Sequence, residues 1–189
     1  MPAYKSFICE TIANKLNLLG PTLAADAACA SSLVALTEAF AAVRTGRCDK
    51  AIVIGVNICF NPGIQYNFFK LNMISPDSKC MCLDSKANGY AKGEACVTIV
   101  VERELSAKRI YTILVNIKSN NDGYKGEGIT FPNWRRQNTV IGSTYTQAGV
   151  DPKQVDYVEA HCTGTKAGDP VEMKAIYHSM IEGLLCSAF

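Results

Sequence analysis

Residues 22–33 read TLAADAACASSL. An apolar stretch after Gly20-Pro21 runs into a cysteine, and a helical pattern begins at once. Thr22–Asp26 reads as a short buried strand. Residues 29–45, CASSLVALTEAFAAVRT, place apolar side chains at 33, 36, 40 and 43, the spacing of one helix face. Gly46 is a helix stop. Ala51–Val56, AIVIGV, is a continuous apolar run of the kind found in strands buried on both faces. Strand, cysteine, helix and strand in that order make a βαβ unit, and its crossover helix predicts parallel strands.

The rest of the chain extends this α/β pattern. Residues 60–94 carry Asn61-Pro62-Gly63, Ser75-Pro76-Asp77 and Asn88-Gly89, so loops and short helices are expected over the sheet. Val97–Glu102 and Tyr111–Ile117 read as strands, the second entering a turn at 119–123. A helix is expected over Thr139–Ala148, ended by Gly149, and a strand over Val155–Ala160 with His161 at its carboxyl end. A glycine-rich loop follows. Gly168-Asp169-Pro170 then predicts a helix to about Ile181, with Asp169 as its cap, Pro170 at its first position and Glu172 three residues after the cap.

Composition removes several classes of function. The chain has 189 residues, 48% of them hydrophobic, and a net charge of +2 from 19 basic and 17 acidic side chains. That length suits one domain with a real core, residues 1–189. The signs are interspersed, and Trp134-Arg135-Arg136 is too small for a nucleic-acid stripe and reads as a solvated turn. No apolar run approaches the length of a membrane span, and residues 1–20 lack the apolar core of a secretory signal. The nine cysteines are irregularly spaced and read as reduced thiols of a cytoplasmic protein. No ligand spacing for zinc is present, so no metal is expected.

Two residues carry candidate chemistry. Cys29 at a helix start has nearby backbone N–H groups that can hold an oxyanion, which suits an acyl-transfer nucleophile. It equally suits a small core residue at a tight crossing. His161 at a strand's carboxyl end could act as base or oxyanion donor beside a cysteine, or be a core histidine with both nitrogens satisfied. His178 on the following helix reads as structural.

The motifs then converge. ADAACASSL (25–33) resembles the nucleophile motif of β-ketoacyl synthases, condensing enzymes of the thiolase fold, and EAHCTGTKAGDPVE (159–172) resembles their histidine motif. KLNMISPDSKC (70–80), LDSKANGYAKGEA (83–95) and NNDGYKGEGITFP (120–132) match the same family in order and spacing. The resemblance runs from about Tyr4 to about Ile176 and is nearest to the ketosynthase of animal-type fatty acid synthase. It implies a partial thiolase-like fold, layered α-β-α with mixed, mostly parallel sheets. It implies an acyltransferase, a 3-oxoacyl-[acyl carrier protein] synthase of fatty acid biosynthesis, acting by acyl transfer to Cys29 and decarboxylative condensation with a malonyl-carrier. His161 would stabilise the enolate, Thr163 and Thr165 would contact the phosphopantetheine arm, and Glu172 would support the site through a lysine. No cofactor is implied beyond the phosphopantetheine of the acyl carrier protein partner, and a homodimer or a larger synthase is expected.

The match also has departures. Ala30 stands for the usual serine, Cys162 for the usual glycine and Leu83 for a common aromatic. The family's second histidine and the lysine partner of Glu172 have no counterpart before Phe189. A catalytically inactive remnant that binds carrier protein or a synthase partner is therefore the alternative reading.

Overall fold

The computed structural model describes residues 5–182. They fall into two compact units that interleave along the chain. One holds the chain up to Asn57 together with Ala95–Ile117, and the other holds Ile58–Glu94 together with the chain from Lys118 onward.

The first unit contains α1 (Lys5–Leu16), α2 (Ser31–Arg44), β1 (Lys50–Asn57) and β2 (Ala95–Glu102). β1 and β2 pair antiparallel in a register running from Lys50↔Glu102 to Asn57↔Ala95. Lys50 and Glu102 close one end of this ladder as an ion pair. The helix α2 packs on β1 and buries Ala39, Ala42 and Val43, while β1 buries Val53. Its seam is made largely of alanine, so the helix can approach the strand closely. Gly55 adds to this, since a β-carbon there would lie 3.1 Å from the Ser32 β-carbon. Leu33, expected on the buried face, is instead 60% exposed, and the buried residues of the helix are Ala39, Ala42 and Val43 in its second half. The helix stops at Gly46, whose φ of 74° is in the left-handed region that glycine enters without cost. The Arg103 guanidinium also donates to the Val43 carbonyl, with Nη2 at 3.3 Å, beside the Gly46 N–H that donates to the same oxygen.

The second unit contains α3 (Pro62–Lys70), α4 (Trp134–Ala148) and α5 (Gly168–Tyr177), followed by a π-helical turn at His178–Glu182. α4 packs against α5. Asn138 Nδ2 donates to the buried Ser179 hydroxyl at 2.8 Å, and Trp134 stacks on His178 with ring centroids 4.8 Å apart. In the same unit the chain crosses itself at a short parallel bridge, Ile74↔Tyr90. Gly89 sits at this crossing with φ of 123°, and a β-carbon there would lie 2.7 Å from backbone atoms of Met73, Ile74 and Ser75.

Several expectations are corrected. Thr22–Asp26, Tyr111–Ile117 and Val155–Ala160 form no strand ladder, and the sheet among the described residues is the antiparallel β1–β2 pair, not a mostly parallel one. An apolar run becomes a strand only when a neighbour matches its N–H and C=O groups. Asn61-Pro62-Gly63 and Asn133-Trp134-Arg135 are helix starts, not turns. Each asparagine side chain accepts from N–H groups of the first helical turn. The helix expected from Pro170 begins at Gly168, and Asp169 does not cap it.

Gly89→Ala is expected to destabilise the fold by about 3 kcal/mol, from backbone overlap and a left-handed φ. Gly126→Ala, where nothing lies within 4 Å, should be close to neutral. Urea midpoints of the two variants measure the difference.

Candidate active site

Cys29 occupies the single 3₁₀ turn Ala28–Ala30 that leads into α2. It is exposed, which removes the reading as a core residue. The turn is bent by Ala28, whose φ of 50° is left-handed and costs a residue with a β-carbon about 1 kcal/mol. Ser31 holds that bend from both sides. Its hydroxyl donates to the Ala28 carbonyl at 2.7 Å and accepts from the Ala27 N–H at 2.9 Å. Asp26 accepts from the Ala28 N–H and pairs with Lys5. The Lys5 ammonium, through its hydrogen bond and its charge, holds the Asp26 carboxyl below its usual range, and the Ala28 bond adds to this. The anionic form that braces the turn is thereby favoured.

His161 lies in the second unit, at the end of the extended run 155–160, and is exposed. That excludes the core-histidine reading. The backbone after it turns left-handed twice, at Cys162 with φ of 37° and at Gly164 with φ of 75°. Two carboxylates on α5 collect the N–H groups this path exposes. Glu172 accepts from the His161 N–H at 2.7 Å and from the Cys162 N–H at 2.8 Å. Asp169, buried to 4% exposure, accepts from the Gly164 N–H at 3.1 Å, from the Thr165 N–H at 3.4 Å and from the Leu83 N–H at 2.9 Å. Asp169 therefore anchors the loop, whereas its place before Pro170 suggested a helix cap. Its spacing of three from Glu172 is the signal that both side chains share a helix face. Glu172, for which the resemblance implied a lysine relay, touches the site directly through the backbone.

The loop is also held to the segment before Gly89. Gly89 N–H donates to the Gly164 carbonyl at 3.0 Å, and a β-carbon at Gly164 would meet the Met81 nitrogen at 2.9 Å. Thr163 and Thr165 hydroxyls lie 3.1 Å apart, and Thr165 Oγ1 also accepts from the Gly168 N–H at 3.1 Å. Thr165 opens onto a depression of about 450 Å³ lined also by Leu83, Asp84, Ser85, Lys166 and Pro170. The structure thus gathers His161, Thr163, Thr165 and Glu172 into one loop-and-helix assembly, while Cys29 is built into the first unit. Among the described residues no group of histidine, cysteine and carboxylate side chains is arranged to hold a metal. No helix of the described residues is long and apolar enough to cross a membrane.

Two family models match the chain. Residues 1–107 match the N-terminal domain of beta-ketoacyl synthase, and residues 111–183 match its C-terminal domain. The chain belongs to the beta-ketoacyl synthases. It is 44% identical over 157 residues to a fatty acid synthase of Anser anser anser, covering 83% of the chain and 45% of that protein. It is 40% identical over 173 residues to a highly reducing polyketide synthase of Alternaria alternata, covering 89% of the chain and 7% of that protein. In structure it is similar to the ketosynthase from module 6 of the bacillaene synthase of Bacillus subtilis 168, with a TM-score of 0.91 and 34% identity. That match covers 95% of the chain and 33% of the solved one. A ketosynthase domain of the oxazolomycin synthase of Streptomyces albus JA3453 gives a TM-score of 0.91 at 30% identity, over 96% of the chain and 32% of that structure. The chain thus spans less than half of these curated relatives and about a third of the solved ketosynthases. The thiolase-like α/β fold class stands on these likenesses.

Asp169→Ala is expected to cost about 3 kcal/mol, since it strands N–H groups that a buried carboxylate now serves. Asp151→Ala, which removes only an exposed turn bond to Lys153, should cost under about 1 kcal/mol. Denaturant titration of both variants tests the contrast. A second expectation concerns Cys162, whose thiol is pushed up by burial and then by the charges of Glu172, Asp169, Cys82 and Glu159. Folding favours its neutral form, a contribution that is complete below the ordinary thiol range and is lost as pH rises through the raised pKa. Iodoacetamide labelling of Cys162, followed by peptide mass spectrometry, should need a higher pH in the folded chain than in urea.

Proposed function

We propose that this ketosynthase chain is part of a 3-oxoacyl-[acyl carrier protein] synthase of the animal fatty acid type, with residues 1–189 forming one catalytic domain in part. The observation that carries the reading is the exposed Cys29, held by Ser31 and Asp26 in a strained turn at the head of α2. The identity to a fatty acid synthase, over most of the chain, supports the fatty acid assignment.

In the first step the Cys29 thiolate attacks the carbonyl of an acyl group carried on the phosphopantetheine arm of acyl carrier protein. The carrier thiol leaves and takes up a proton, and an acyl thioester remains on Cys29. In the second step the malonyl group on a carrier loses its carboxylate as carbon dioxide. His161 donates to the thioester oxygen where enolate charge develops. The enolate carbon attacks the Cys29 thioester, the new carbon–carbon bond forms, and the Cys29 thiolate leaves. Thr163 and Thr165 contact the arm, and Glu172 fixes the His161 backbone so that its imidazole is presented at one place. The working partner is acyl carrier protein, the setting is cytoplasmic, and the assembly is a homodimer or a larger synthase.

An acyl-pantetheine thioester should acylate the chain once. Intact and peptide mass should place the group on Cys29, and Cys29→Ser should abolish it. His161→Ala should keep this acylation while slowing release of carbon dioxide from a malonyl thioester by about 10²–10³-fold. Acylation mapped to another cysteine, or surviving in Cys29→Ser, overturns the reading.

A further inference from the structure

One thiol outside the proposed chemistry lies against the backbone of a second cysteine. Cys82 Sγ donates to the Cys162 carbonyl at 2.6 Å, across 80 residues of sequence. Cys82 is exposed and Cys162 is half-buried, so an oxidant reaches the first more readily than the second. The backbones that carry them are fastened on both sides of this contact, by Leu83 N–H to Asp169 and by Gly89 N–H to the Gly164 carbonyl. The neighbouring thiol, Cys80, is turned elsewhere, its sulfur accepting from the Ala91 N–H at 3.1 Å. Cys162 directly follows His161, in a left-handed conformation in which glycine would be unstrained.

We propose that Cys82 and Cys162 are a peroxide-responsive pair whose reversible disulfide ties the His161 loop to the segment before Gly89. The Cys82 thiolate attacks one oxygen of hydrogen peroxide. The O–O bond breaks, hydroxide leaves to become water, and Cys82 becomes a sulfenic acid. The Cys162 sulfur then attacks the Cys82 sulfur, the S–S bond forms, and the sulfenic oxygen leaves as a second water. Two thiols are oxidised by two electrons and one peroxide is reduced. Cys162 takes the resolving role because burial and the charges of Glu172, Asp169 and Glu159 disfavour its thiolate. An added dithiol reopens the pair by exchange. That the link slows enolate formation at His161 rests on the function proposed above; the link itself does not.

The full chain is treated with one equivalent of hydrogen peroxide, its free thiols are blocked, and it is digested without reduction. The expected product is one peptide pair joined through Cys82 and Cys162, reversed by dithiothreitol. Cys162→Ser should lose it and leave a Cys82 sulfenic acid that dimedone traps. Cys162→Gly, which suits the backbone there, does the same if the serine variant fails to fold. A Cys80–Cys82 link overturns the proposal, as does over-oxidised Cys82 with Cys162 still open to alkylation. Acylation of Cys29 is measured separately in the reduced and oxidised chain. Failure of that acylation in the reduced chain overturns the enzymatic reading and leaves the disulfide result standing.

Discussion

Asp169 and Glu172 sit three residues apart on α5 and use their carboxylates to hold a loop that no ladder holds. Between them they accept from the N–H groups of His161, Cys162, Gly164, Thr165 and Leu83. A carboxylate is suited to this because it only accepts, and it has lone pairs for several donors. The loop in turn needs it, because backbone that passes through left-handed conformations points successive N–H groups to one side. Neither part is stable alone. A buried aspartate without donors would not stay charged, and the loop without an acceptor would leave several N–H groups unmatched.

The first unit solves the same problem with smaller groups. Ala28 stands left-handed beside Cys29, as Cys162 does beside His161. In each case the residue that bends the chain is a neighbour of the one proposed to do chemistry. In each case a side chain farther along, Ser31 or Glu172, bonds the bent backbone. The bend redirects the chain beside the residue proposed to react, and the hydrogen bonds offset the strain. Strain of this kind persists only where its surroundings over-determine it. The hydroxyl of Ser31 suffices for a one-residue turn, whereas a loop of several residues takes two carboxylates.

The parts of the fold that were legible in the sequence are those set by local rules. The helix over 31–44, the strands at 50–57 and 95–102, and Gly149 as a left-handed stop follow from periodicity, apolar runs and glycine. Local rules failed where a long-range partner decided the outcome. Thr22–Asp26 and Val155–Ala160 have strand composition and no ladder. Asp169 has the composition of a cap, but donors up to 86 residues away claim its oxygens. Asn61 and Asn133 were a different failure. Their cap chemistry was present in the sequence, but Pro62-Gly63 and Trp134-Arg135-Arg136 look like turns when read without the asparagine before them. The site was legible through motif resemblance more than through physics, since an exposed cysteine and an exposed histidine carry no signal of their own.

The cysteine at 162 shows how closely the loop's parts constrain one another. A glycine there would relax the left-handed φ and keep the carbonyl that Cys82 meets, but it would carry no thiol. A cysteine costs backbone strain of about 1 kcal/mol and brings a thiol next to Glu172 and Asp169. Those carboxylates must remain charged to hold five N–H groups, and a thiolate beside them would repel both. Burial first, and then the charges that hold the loop, favour the neutral thiol, and the neutral thiol leaves those charges free to hold the loop. Only a reaction that removes the proton without leaving a negative sulfur escapes this balance, and formation of a sulfur–sulfur bond is such a reaction.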